Sequence, residues 1–179
     1  MTRKRTPRTE PRHTATHEAG HAVIARVLAL MCGGASIWHV GAGRAMIHGP
    51  FECEGEWLGR AKWRSGGAVY RARIIAFMAG TEAEIELLGA TQGADDEDRC
   101  QIALMAKELY SCDLDRLQMM SRMLVRRHRS RIERVAAALL AGKELSGEQV
   151  DELTGRSVDD VPDRLPPRFR GWVGSGVPR

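Results

Sequence analysis

The stretch Thr16-His17-Glu18-Ala19-Gly20-His21-Ala22-Val23 sets two histidines four apart, with a glutamate directly after the first. On an α-helix, side chains at i and i+4 project from one face a turn apart, so both imidazoles can reach a single tetrahedral metal ion. Glu18 lies beside them, where a carboxylate can hold a water and take its proton while the metal polarises a carbonyl. Those are the parts of a metal-assisted hydrolase: His17 and His21 as ligands, Glu18 as base. A chain of this composition shows the pattern by accident about once in seventy, so spacing alone leaves two ordinary helical histidines as the alternative. The rest of the helix is apolar at Val23, Ile24, Val27 and Leu28, which puts the histidines on a partly buried element. Buried imidazoles need partners, and a metal is one way to supply them. Gly20, between the two, costs about 1 kcal/mol relative to alanine in a helix. Its presence implies that another backbone or helix approaches closely there.

The elements that must position these residues are mostly helical. Ala and Leu abound mid-chain and aromatics make up only 5% of the sequence, a balance that favours helices over a β-sandwich. The expected fold is mainly α (α+β), a compact helical domain with a small hairpin after the histidine helix. Thr14 or Thr16 can N-cap the first helix, which is expected to run through Leu30 and stop at Gly33-Gly34. Ile37, Trp38 and Val40, then Met46 and Ile47, flank a glycine-containing connection and read as two short strands. The stretch from Phe51 to Gly67 reads as a loop that can hold another edge strand. Tyr70, Ile74, Phe77, Met78, Ile85 and Leu88 follow helical spacing from Ala68 to Leu88, with Gly89 as the stop. Acidic residues from Asp95 lead into a third helix faced by Ile102, Met105, Ala106 and Leu109, where their charge suits the helix dipole. A fourth, long helix is expected from Asp113 to Ala141, striped by Leu117, Met120, Leu124, Ile132, Val135 and Leu139. A short helix capped at Ser146 follows, with Glu148 in its first turn.

The chain has 179 residues, enough for one sizeable core. It divides into a basic arm over 1–13, a domain over 14–155 and a Pro/Gly/Arg-rich tail over 156–179. The formal net charge of +4 is accounted for by the arm, with five arginines and lysines against Glu10. Such a segment reads as disordered rather than as a nucleic-acid contact. The basic run Arg126 to Arg134 reads as a solvated helical face, and Met119, Met120 and Met123 as core filler. Four cysteines without C-x-x-C spacing and without an apolar leader read as reduced thiols of a cytosolic protein. No run of about 18 apolar residues is present, which argues against a membrane span.

Three segments in order carry a resemblance. His17-Glu18-Ala19-Gly20-His21-Ala22 resembles the zinc motif of the FtsH-type AAA proteases. Ala79 to Gly89 is similar to that family's G-R-x-A-E-x-x-x-x-G helix, with Gly80, Ala83, Glu84 and Gly89 matching and Thr81 replacing the arginine. Thr91 to Leu109 resembles its T-G-A-x-x-D segment, whose aspartate supplies a third zinc ligand. Together the likeness covers roughly Ala15 to Leu153 and implies a Zn2+ peptidase domain. Strict counting from Gly93-Ala94 lands on Glu97, whereas alignment of the following helix favours Asp98 with one inserted residue. Asp98 is the preferred third ligand, and Glu97, Asp96 and Asp95 stay open. Glu84 can be a helical third ligand, as in other zincins, but the resemblance gives it an orienting role behind a ligand histidine. His39 and His48 lie near the cleft if the hairpin does.

No G-x-x-x-x-G-K-[ST] phosphate loop is present, so the expected activity is ATP-independent cleavage of peptides or unstructured protein segments. The family's hexamer is normally driven by its motor, which leaves a homo-oligomer an open question. Two other readings remain at this point: a repressor-cleaving peptidase of the ImmA kind, and a non-catalytic zinc-binding or interaction module. Glu18 separates the classes, because a purely structural site has no use for a carboxylate beside its first ligand.

Overall fold

Pro11 opens the first helix from its N1 position, where its missing N–H is no loss and its fixed φ suits the helix. The computed structural model describes residues 10–38, 42–47, 66–93 and 95–155. Helix α1 runs Pro11–Val27, strand β1 Cys32–Ile37, strand β2 Gly43–Ile47 and helix α2 Gly66–Leu88. Then come α3 (Asp96–Lys107), α4 (Leu114–Arg127), α5 (Arg129–Gly142), β3 (Glu144–Ser146) and α6 (Gly147–Thr154). The chain is thus mainly helical, with a small antiparallel sheet of order β2-β1-β3 among the described residues. No helix among them is long and apolar enough to cross a membrane.

α1 is the central element. Every residue from Thr14 to Ala25 is buried, so the helix is enclosed on all sides rather than half-buried as its apolar stripe suggests. It packs most extensively on α2, then on α5, and it touches β1 and β2. Small residues make this enclosure work: a Cβ on Gly20 would sit 2.5 Å from the Ala79 carbonyl oxygen and 2.8 Å from Ala83 Cβ. The close approach implied by Gly20 is therefore that of α2. The buried face of α2 is Val69, Ile75, Ala76, Ala79 and Ala83 together with Ile74. Ile85, expected on that face, is exposed, because the stripe facing α1 is made of alanines and glycine and the large residues flank it.

Several boundaries differ from expectation for identifiable reasons. α1 starts at Pro11, so the basic arm gives way to helix two residues before 13. It ends at Val27, not Leu30, because Ala29 adopts φ 54° and the Leu28 and Ala29 N–H groups close the last turn. Gly33-Gly34 consequently lies inside β1. Gly34 (φ 136°) sits against the Leu145 carbonyl of β3, and the β1–β2 register shifts beside it. β3, unforeseen because it is three residues long, pairs Ala35 with Leu145. α2 begins at Gly66, inside the expected loop. The long fourth helix is two helices, divided at His128 (φ −107°, ψ 16°): α4 packs on α2, while α5 crosses to α1. Of the three methionines, Met120 packs on the core, but Met119 and Met123 are exposed. The buried row of α4 is Leu117, Ser121 and Val125, which turns those two outward. The Ser146 cap forms with Gln149 as its reciprocal partner, a complete capping box. His39, His48, Val40, the arm before residue 10 and the tail over 156–179 lie outside the described residues.

Helix propensity favours alanine over glycine at position 20 by about 1 kcal/mol, whereas forcing a methyl group against a backbone carbonyl costs typically about 1–3 kcal/mol. With Ala79 oxygen 2.5 Å from the added carbon, packing outweighs propensity. Gly20→Ala should lower the thermal midpoint; an unchanged or raised midpoint would show that α1 and α2 can separate without cost.

Candidate metal centre

His17 and His21 both present their Nε2 atoms to one point because each Nδ1 is held from behind. His17 Nδ1 donates to Glu84 Oε1 at 2.8 Å, and His21 Nδ1 donates to the Ala76 carbonyl oxygen at 2.8 Å. With Nδ1–H committed to a carboxylate or a carbonyl, it is the Nε2 nitrogens that face forward, each giving up its proton when a metal takes that place. The Asp98 carboxylate, from the first turn of α3, meets them: Oδ2 lies 2.9 Å from His17 Nε2 and 3.1 Å from His21 Nε2. Ligand atoms of His17, His21 and Asp98 all lie within 4.8 Å of one another. A tetrahedral zinc ion with bonds of about 2.0–2.2 Å holds its ligands roughly 3.3–3.5 Å apart, so the group fits such an ion with small adjustments.

The wall behind this point is Gly80. A Cβ there would stand 2.6 Å from His21 Nε2 and 2.7 Å from His17 Nε2. The imidazoles thus occupy the space that a side chain at position 80 would fill. The ring planes of His17 and His21 meet edge to face with centroids 4.5 Å apart, and the Phe77 ring lies 6.0 Å from His21.

Glu18 is buried at 6% exposure and lies against β2. A Cβ on Gly43 would come within 2.6 Å of Glu18 Cγ, and the Ala45 backbone hydrogen-bonds its carboxylate. Burial pushes the Glu18 pKa up, against the pull of His21 and His17, which makes it a better proton acceptor than a surface glutamate. Burial opposes the charged form of His17, but hydrogen bonds to Asp98 and Glu84 and the charge of Glu18 outweigh it and push its pKa up to about 10. Asp98 resists protonation: burial raises its pKa, but the bonds from His17 and His21 prevail and hold it below the usual carboxylate range. In Glu84 the same contest is won by His17, His13 and the Gln92 N–H, which hold it low.

The acidic cluster is resolved by geometry. Asp98 is the carboxylate against both imidazoles. Glu97 lines the same cleft, Asp96 is exposed, and Asp95 turns to the Arg99 guanidinium at 2.9 Å. Glu84 bonds the rear nitrogen of His17, so it orients that ring rather than facing the convergence point. His13 is the residue that sequence reasoning passed over: its Nδ1 bonds Glu84 Oε2 at 2.8 Å. A sequence signal exists for it, since His13, His17 and His21 recur every four residues, but the basic composition of 1–13 sets His13 in the arm. The cleft in front of the group has a volume of about 690 Å³ and is walled by the whole of β2, by Arg73 and Phe77 of α2, and by Glu97 and Gln101 of α3.

No protein-family model matches the chain, and no curated protein matches it. Function therefore rests on the residues and their geometry.

Gly80→Ala tests the wall. The added methyl group would lie within 2.7 Å of the forward nitrogen of each histidine and push both off the common point. Zinc uptake measured by competition with a chromophoric chelator should fall by at least tenfold; an unchanged affinity would mean that the ligand atoms converge elsewhere.

Proposed function

We propose that this chain is a zinc-dependent metallopeptidase of the HExxH type, akin to the FtsH-type peptidase domain, that hydrolyses peptides or unstructured protein segments. The observation that carries the reading is the union in one cleft of His17, His21 and Asp98 with a buried carboxylate, Glu18, next to the first histidine. A site closed by protein ligands would serve structure; three protein ligands opening on a cleft leave a position for water or substrate.

Zinc, when bound by His17, His21 and Asp98, would supply a Lewis acid that acidifies water and polarises the scissile carbonyl. Glu18 takes a proton from the attacking water as its oxygen bonds to the carbonyl carbon. It then gives that proton to the amide nitrogen as the C–N bond breaks, so acid and amine leave with no net proton change at the protein. Ala45 holds the Glu18 carboxylate in place through its backbone. Glu84 and the Ala76 carbonyl hold the two imidazoles with their forward nitrogens aimed at the place the metal would take beside Asp98.

Substrate form follows from β2. Among the described residues it is an edge strand paired only with β1, and it runs along the cleft. An extended segment can add to such an edge through main-chain hydrogen bonds, whereas a folded surface cannot enter a groove of about 690 Å³. That supports cleavage of extended peptides rather than of native domains.

Glu18→Gln should keep zinc at about one ion per chain and reduce casein hydrolysis by roughly 10²–10⁴-fold. The His17→Ala, His21→Ala double variant should lose both. Hydrolysis that persists in Glu18→Gln, or a zinc-loaded wild-type protein that cleaves neither casein nor unstructured peptides, would set the peptidase reading aside in favour of a structural site.

A further inference from the structure

Glu84 is a buried carboxylate with two distinct sides. Oε1 receives His17 Nδ1, while Oε2 receives His13 Nδ1 at 2.8 Å and the Gln92 N–H at 3.1 Å. The side chain is 3% exposed, and His13, at 15%, stands between it and solvent. A carboxylate accepts hydrogen bonds and donates none, so both histidines present a protonated Nδ1 to it. Gln92 is tied in turn to the start of α1, where its Oε1 receives the Glu10 N–H at 2.7 Å. His13 and His17 therefore grip the same carboxylate from successive turns of one helix.

We propose that His13 is a positioning residue that, through Glu84, fixes the ring orientation and tautomer of His17 and thereby the metal affinity of the His17–His21–Asp98 group. Removal of the imidazole leaves Oε2 with the Gln92 N–H alone and opens a path for water to the carboxylate. A hydrated Glu84 turns more freely and holds His17 Nδ1 less firmly, and outer partners of ligand histidines characteristically tune affinity in this way. The proposal rests on the reading of that group as a metal site, but not on peptidase activity.

The test compares His13→Ala with His13→Asn, whose amide nitrogen can donate from nearly the position of the imidazole Nδ1. Co2+ affinity is read from visible absorption, and the His17 ring from its 15N–1H correlations in the Zn2+-loaded full chain. His13→Ala should bind Co2+ roughly 3–10-fold more weakly and shift the His17 resonances, a smaller loss than the 10–100-fold common for the immediate partner of a ligand. His13→Asn should restore both to near wild-type values. Unchanged affinity and resonances in His13→Ala would overturn the proposal, as would equal losses in both variants, which would mark a merely structural residue. A wild-type chain that takes up no Co2+ would overturn the metal reading and this proposal with it; normal uptake without His13 dependence would overturn this proposal alone.

Discussion

The close approach of α1 and α2 governs this structure. Gly20 lets the Ala79 backbone and the Ala83 side chain come up to α1, and Gly80 lets the two imidazoles lie against α2. The two helices meet as a ladder. His21 reaches Ala76, His17 crosses Gly80 to reach Glu84, and His13 also ends on Glu84. Residues 76, 80 and 84 are spaced by four, as are 13, 17 and 21, so each turn of one helix answers a turn of the other. Any change in the spacing of the pair moves the two imidazoles, their supports and the wall behind them together.

α2 is also the element on which charge is buried. Glu84 faces α1, while Glu82, 2% exposed, faces α4 and accepts from Gln118 and Arg122. Buried carboxylates are tolerated when donors surround them, and loss of one partner is costly because the other charge is stranded. Three arginines of the basic run Arg126 to Arg134 also have partners within the fold. Arg126 bonds Glu86, Arg129 bonds Glu133, and Arg134 donates to the Leu153 carbonyl.

Much of the cluster's geometry is legible because its residues sit on helices, whose period fixes relative placement. His17, Glu18 and His21 needed only the four-residue spacing. Asp98 was preferred over Glu97 through the apolar face of the helix that follows, and the structure puts it against both imidazoles. The fold was legible in its helices and its hairpin, and less so where short-range signals compete. Gly33-Gly34 looks like a helix stop but serves a bulged strand, because a left-handed turn at Ala29 ends the helix first. The division at His128 carries no proline or glycine; it follows from the different partners of α4 and α5, which no local pattern encodes. The α2 stripe was misread because its burial is carried by alanines, which contribute little to a hydrophobic pattern yet allow the nearest packing.

Sequence separation adds a consequence of its own. The helix that bears both histidines is made before α2 and α3, since Glu84 lies 67 residues beyond His17 and Asp98 lies 81 beyond it. Arg26 on the same helix pairs with Asp151, 125 residues away, and β1 completes its sheet only with β3. A nascent chain therefore carries α1 uncovered until α2 is made, and incompletely covered until α5 and α6 follow. Such long-range closure delays cooperative folding. A chain cut before α2 and α3 thus holds its two histidines without Glu84 and Asp98, the carboxylates that organise them.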